Sequence, residues 1–94
     1  MKLRRVGRNV VLAACDAELL GKTLCEGKIV FHVKEEFYKG AKVGVEEAIC
    51  MIDSSTIVNM VGKKIKKKAI EKGHVHPQAV IKIDGVPHAQ IVRL

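Results

Sequence analysis

Tryptophan is absent from this 94-residue chain, and its only aromatic residues besides histidine are Phe31, Phe37 and Tyr38. The core must therefore be aliphatic. Three aromatics are too few for the stacking platform of an RNA-recognition sheet, and no run fits that module's aromatic signature. Cysteine is scarce too: Cys15, Cys25 and Cys50 are an odd number with no C-x-x-C pair. That argues against a disulfide framework or a zinc ribbon and leaves free thiols in a reducing cytoplasm. Long apolar runs are lacking, and nothing approaches the roughly 20 residues that span a bilayer. The stretch LAAC, Leu12 to Cys15, looks like a lipoprotein cleavage box. Arg8 and Asn9 interrupt the apolar residues before it, and Val10 to Ala14 is too short for a signal core. There are no internal repeats and no low-complexity linker.

What is present is a folding sequence with a basic surplus. Hydrophobic residues make up 48% of the chain, enough to exclude a disordered tail. Its length predicts a single domain over residues 1–94, which hides about two-thirds of the surface its unfolded form exposes. Seventeen Lys and Arg against ten Asp and Glu give a net charge of +7. On a small domain that surplus makes a positive field that attracts polyanions, and it also keeps a protein soluble.

Along the chain, Leu3 to Val6 and Val10 to Cys15 are short apolar or β-branched runs split by Gly7-Arg8-Asn9, which predicts a hairpin. Asp16 to Gly21 reads as one helical turn, with Asp16 as N-cap and Gly21 as the stop. Lys28 to Val33 is a third strand entered through Glu26-Gly27, and residues 34 to 44 are a loop. Val45, Ala48, Ile49 and Ile52 recur at helical spacing, with Glu46 and Glu47 in the first turn. Ile57, Val61, Ile65 and Ala69 recur every four residues and predict a second helix from Thr56 to Lys72, stopped by Gly73. Ala79 to Ile83 and Val86 to Val92 flank Asp84-Gly85, a two-residue hairpin signal that sets Ile83 opposite Val86 and Ile81 opposite His88. The expected class is α+β, in the order β-β-β-α-α-β-β, with a mostly antiparallel sheet and its helices on one face.

Most motifs fail on inspection. Gly21-Lys22-Thr23 resembles the end of a phosphate-binding loop, but the glycine required five residues earlier is Asp16, whose charge repels phosphate. Gly62-Lys63-Lys64-Ile65 lacks the second glycine of a G-x-x-G clamp. His74 and His76, with His88 or a cysteine, are too few to define a metal site, so no metal or cofactor is expected. The lysine run remains. Lys63, Lys64, Lys66 and Lys67 cover the helix side opposite Val61 and Ile65, while Lys68 and Lys72 must snorkel past the apolar stripe. Arg4, Arg5 and Arg8 extend the patch if the first hairpin lies nearby. His88 shares a hairpin face with Ile81 and Ile83, which predicts a half-buried, hydrogen-bonded ring. Pro87, without a donor, suggests an edge strand.

Taken together, CDAELLGK (15–22), EEFY (35–38), IVNMVGKK (57–64) and VPHAQIVRL (86–94) resemble the archaeal domain-of-unknown-function family numbered 424. The resemblance implies an archaeal cytoplasm and one small α+β domain. Its pattern marks positions matching Asp16, Gly21, Lys22, Asn59, Gly62, His88 and Gln90, and it does not require the lysine cluster. Three functions follow as expectations. One is a non-enzymatic accessory protein that binds RNA or a ribonucleoprotein, for instance in translation, through its basic surface. Another is a small enzyme or ligand-binding protein with a pocket formed by Asp16, Lys22, Asn59, His88 and Gln90. The last is a protein-interaction module. Convergence of the five polar residues on one concavity is what separates the second from the others.

Overall fold

The computed structural model describes residues 1–93. In chain order its strands are β1 (Lys2–Val6), β2 (Asn9–Cys15), β3 (Thr23–Glu26), β4 (Ile29–His32), β5 (Ile57–Val61), β6 (Ile81–Ile83) and β7 (Val86–Val92). Its α-helices are α1 (Glu35–Tyr38), α2 (Val45–Cys50) and α3 (Lys63–Glu71), and short 3-10 turns lie at Ala17–Leu19, Met51–Ser54 and Pro77–Ala79. Five strands form one sheet in the order β1-β2-β5-β7-β6, and β3 with β4 forms a separate hairpin. All pairs are antiparallel except β2 with β5. The class is α+β, as the order of elements implied.

The two terminal hairpins form as their turn residues dictate. Val6 opposes Asn9, so Gly7-Arg8 is the whole turn, and Asn9 belongs to β2. Ile83 opposes Val86 and Ile81 opposes His88 in the expected register. Asp84 and Gly85 have φ of 55° and 73°, the pair of positive values a type I′ turn needs. Pro87 does not mark an edge strand, because β7 lies between β5 and β6. It is tolerated where β5 ends. Gly62 N–H donates to the Pro87 carbonyl at 2.9 Å, and the reciprocal bond, which a proline cannot make, falls at Gly62, where the chain turns into α3.

The interior of the chain differs from the sequence expectation in three places. Residues 57 to 61 are a strand, and the helix begins only at Lys63. Residues four apart share a face in a strand as well as in a helix. A strand buried on both faces also reads as a continuous apolar run, so Ile57 and Val61 fit either period. Lys28 to Val33 is not a lone strand, because Thr23–Glu26 pairs with Ile29–His32 around Gly27-Lys28. Of β3 only Leu24 is buried, and a single inward residue carries no period. Within the expected loop, Glu35–Tyr38 closes one helical turn, and Tyr38 is buried.

Strand alternation divides the core between the two sides of the sheet. Leu12, Ala14, Val58, Met60 and Ala89 face α2 and α3, packing with Ala48, Ile49, Ile65 and Ala69. Ala13, Val61 and Ile83 point the other way, beneath Leu24, Val33 and Tyr38. Two helices thus cover one side, as expected, while the β3–β4 hairpin and α1 form a third layer on the other.

Asp16 joins these layers. Its backbone N–H continues the ladder to the Val61 carbonyl at 3.0 Å. Its side chain does not cap the 3-10 turn that follows it in sequence. Instead Oδ2 and Oδ1 accept the Lys64 and Ile65 backbone N–H groups at 3.0 and 3.1 Å. The carboxylate therefore caps α3 from across the fold, where the helix dipole favours it. Gly62 makes room. It has φ 125°, and a Cβ there would lie 2.6 Å from Asp16 Oδ2. Asp16→Ala is expected to lower unfolding stability by about 2 kcal/mol, and Gly62→Ala by about 3 kcal/mol. Urea denaturation measures both, and an Asp16→Ala protein as stable as the parent would refute the cross-fold cap.

Candidate nucleic-acid interface

The helix α3 buries Ile65 and Ala69 and turns its remaining surface outward. Lys63, Lys64 and Lys67 are exposed, and Lys66 is partly so. Lys68 leans towards α2, with Nζ 2.7 Å from Glu46 and 3.5 Å from Glu71. The hydrogen bond from Lys68 holds the Glu46 carboxyl below its usual range, and the same bond raises Lys68. Lys68 thereby pairs with both carboxylates that form an ion pair with α3 among the described residues, while Asp16 is engaged by the helix backbone. Among the described residues, Lys63, Lys64, Lys66, Lys67 and Lys72 make no ion pair. The outer face of α3 is a block of uncompensated positive charge.

A second concentration of chemistry lies on the opposite side of the sheet. The register places Asn59 directly opposite Gln90, and Val61 opposite His88. Alternation puts Asn59, His88 and Gln90 on the side that the hairpin and α1 only partly cover. A groove of about 350 Å³ opens there, lined by Phe31, His32, Lys34, Phe37, Tyr38, Asn59 and His88. Phe31 and His88 meet with ring centroids 5.0 Å apart and planes tilted by 54°. Phe37 meets Tyr38 edge-on at 5.0 Å, and the Arg4 guanidinium lies 4.8 Å above the Phe37 ring, within cation–π range. All three aromatics of the chain are collected here.

Of the polar groups here, His32 Nδ1 shares a 2.8 Å hydrogen bond with Thr23 Oγ1, and the others are uncommitted. No side-chain hydrogen bond within the described residues involves Asn59, His88 or Gln90, and no buried polar side-chain atom lacks a partner. Their donors and acceptors therefore face solvent. His88 was expected to be half-buried and hydrogen-bonded. It is half-buried, but it packs on Phe31 and its ring nitrogens remain open. Burial lowers its pKa from 6.5. Burial likewise pushes the Tyr38 phenol up to about 12, so both groups are neutral at pH 7. The groove lining contains no carboxylate and no thiol.

The other sequence candidates are dispersed. Asp16 is only 8% exposed and is engaged with α3. Lys22 is exposed at the base of β3, where its backbone bonds to Leu19 and Val33. The five polar residues thus do not share one pocket: Asn59 and His88 line the groove, Gln90 stands beside Asn59 on the same face, and Asp16 and Lys22 lie elsewhere. Arg4 overhangs the groove, Arg5 alternates to the helix-covered side, and Arg8 sits in the first turn. β1 is the far edge strand from the β5–β7 region that carries α3, so the arginines stand apart from the lysine face. His74 and His76 do not join His88: His74 Nδ1 lies 3.9 Å from Asp53 Oδ1, and His76 Nδ1 accepts from the Gln78 N–H at 3.1 Å. No metal-binding group of three such side chains occurs among the described residues. Cys15, Cys25 and Cys50 are free. No helix of the described residues is long and apolar enough to cross a membrane. Phe31, Lys34 and Phe37 escaped the sequence reading. The one signal that could have found them was the alternation of Phe31 with Val33 past a Gly27 turn.

The model of the family described as a protein of unknown function (DUF424) matches residues 4–94. Comparison with curated proteins gives no match. Among solved structures, the fold is similar to the crystal structure of an uncharacterized conserved protein from Methanopyrus kandleri. That likeness has a TM-score of 0.83 at 26% identity and covers 99% of this chain and 90% of the other.

The His88 environment has a measurable consequence. A histidine whose folded pKa lies below its unfolded value binds a proton more readily when unfolded. Stability is therefore undiminished above pH 6.5 and falls as pH drops from there through the lower folded pKa. The expected outcome is an NMR titration of the His88 ring with a midpoint below 6.5. Thermal melts from pH 7 to 5 should fall less steeply in His88→Gln than in the parent, and equal slopes would show that the ring is not desolvated.

Proposed function

This chain belongs to the DUF424 family, whose function is unknown, and we propose from its surface chemistry that it is a non-enzymatic accessory protein that binds RNA, free or within a ribonucleoprotein. The observation that carries this reading is the unpaired lysine face of α3. Lys63, Lys64 and Lys67 are exposed without an acidic partner, on a domain whose net charge is +7. Such a block of charge gains affinity for a phosphate backbone by releasing its condensed counterions. Contacts of this kind position a protein on nucleic acid without reading sequence.

Binding without catalysis fits the groove as well. A general base needs an orienting or reacting partner within hydrogen-bond reach. Among the described residues the His88 ring packs on Phe31 and accepts or donates no side-chain hydrogen bond, and no carboxylate is among the residues that line the groove with it. Partner and compartment follow from the same premise: an RNA of the cytoplasm, met by electrostatic attraction and held by phosphate contacts.

Replacing Lys63, Lys66 and Lys67 together by Gln removes charge and keeps good helix formers. RNA affinity in filter binding should drop, and the slope of log affinity against log salt should become shallower by about 2, the value for three lost contacts to a single strand. The melting temperature should stay near that of the parent. Parent protein that retains no RNA at low salt would overturn the reading.

A further inference from the structure

We propose that the groove beneath Phe31 and Phe37 is a pocket for one unpaired nucleobase of an RNA strand, so that the protein selects single-stranded over helical RNA. This rests on the RNA-binding reading and adds a second contact to it, on the other side of the sheet from the lysine face.

The groove has the parts such a pocket needs. Its walls are planar rings: Phe37, and Phe31 tilted against His88. Base–aromatic stacking is a main source of single-strand affinity and tolerates every base, because each has a π-face. Asn59 lines the groove, and the exposed Gln90 stands opposite Asn59 on the adjacent strand, beside the lining residues. Each carboxamide offers a donor and an acceptor side by side, the arrangement that pairs with the edge of a base. Both amides and the His88 ring lack an intramolecular partner among the described residues, so their hydrogen-bonding capacity is unspent. The rim supplies Arg4 and Lys34, both exposed, for the flanking phosphates. No carboxylate lines the cavity to repel them. Its volume of about 350 Å³ lies within the range of small-ligand sites.

A base inside a duplex cannot enter. Its pairing edge is occupied, its faces are stacked on neighbours, and the A-form major groove is too deep and narrow for side chains. An unpaired base presents both a free face and a free edge. The lysine face has no such discrimination, since phosphates are displayed by single and double strands alike.

The test uses the whole chain with fluorescently labelled single-stranded homopolymers of A, U and C and with a blunt RNA duplex. Phe31→Leu keeps apolar volume under the hairpin and removes the π-face. It should weaken single-strand binding at least about fivefold and leave duplex binding unchanged, while the triple lysine-to-glutamine variant weakens both. A measurement on the unmutated protein stands beside this. The chain has two asparagines and two glutamines, of which Asn59 and Gln90 lie at the groove and Asn9 and Gln78 lie elsewhere. Their side-chain amide signals give an internal control. Single-stranded RNA should shift Asn59 and Gln90 and spare Asn9 and Gln78, with the duplex moving neither pair. RNA that binds while moving only the amides of residues 63 to 67 would overturn the pocket and leave the lysine reading standing. Equal single-strand affinity for the parent and a folded Phe31→Leu would do the same. Free nucleoside monophosphates that fill the pocket as tightly as the homopolymers would overturn its assignment to an RNA strand. No binding of any RNA at low salt would overturn both proposals at once.

Discussion

The buried carboxylate of Asp16 is the joint on which the architecture turns. It accepts two backbone N–H groups that would otherwise be orphans at the start of α3. It can do so because residue 62 has no side chain and takes a backbone conformation closed to most others. One interaction therefore fixes the end of β2, the end of β5 and the origin of α3. The direction of α3 then decides that Ile65 and Ala69 face the sheet and that the lysines face water. The direction of β5 decides that Asn59 looks towards the hairpin side.

This arrangement gives residues of a phosphate-loop type a structural task in the fold. Asp16 and Lys22 read in sequence as candidate pocket residues, while Gly21 and Gly62 belong to phosphate-loop and clamp motifs that are incomplete. In the fold Asp16 and Gly62 are a matched pair, carboxylate and vacancy. Gly21, with φ 83°, turns the chain so that its N–H reaches the Val33 carbonyl at 2.8 Å and starts the hairpin layer. Polar and glycine positions marked by a family pattern can thus serve the scaffold, while the side chains of Lys22, Asn59, His88 and Gln90 make no hydrogen bond or ion pair among the described residues.

Local signals were legible and non-local ones were not. The β1–β2 and β6–β7 hairpins follow from Gly7 and Asp84-Gly85, because a tight turn determines its own register. The helix α2 follows from its period. The strand β5 did not, since a stretch buried on two faces loses the alternation that identifies a strand. Asn59 was accordingly placed on a helix, and its partnership with Gln90 could not be seen. The lysine face was legible because charge is concentrated in sequence. The groove was not, because its parts come from β4, α1, β5 and β7, and three aromatics counted along a chain give no hint that all three meet in space. Phe31 and Phe37 became visible only when the hairpin missed in sequence laid one beside the other.

The lone parallel pair, β2 with β5, has a consequence for how the chain acquires its shape. Every antiparallel contact joins close neighbours in sequence or, for β5 and β7, segments separated by one helix and a hairpin strand. The β2–β5 contact spans residues 16 to 56, with the whole hairpin layer and α2 in between. Closing that span costs chain entropy before any of its hydrogen bonds can form. The two flanks of the sheet, β1–β2 on one side and β5–β7–β6 with α3 on the other, are assembled from shorter-range contacts and can condense separately. Their docking, completed as Asp16 reaches α3, carries the largest loop-closure cost within the sheet. The groove exists only after that step, so any ligand held there reports on a finished molecule.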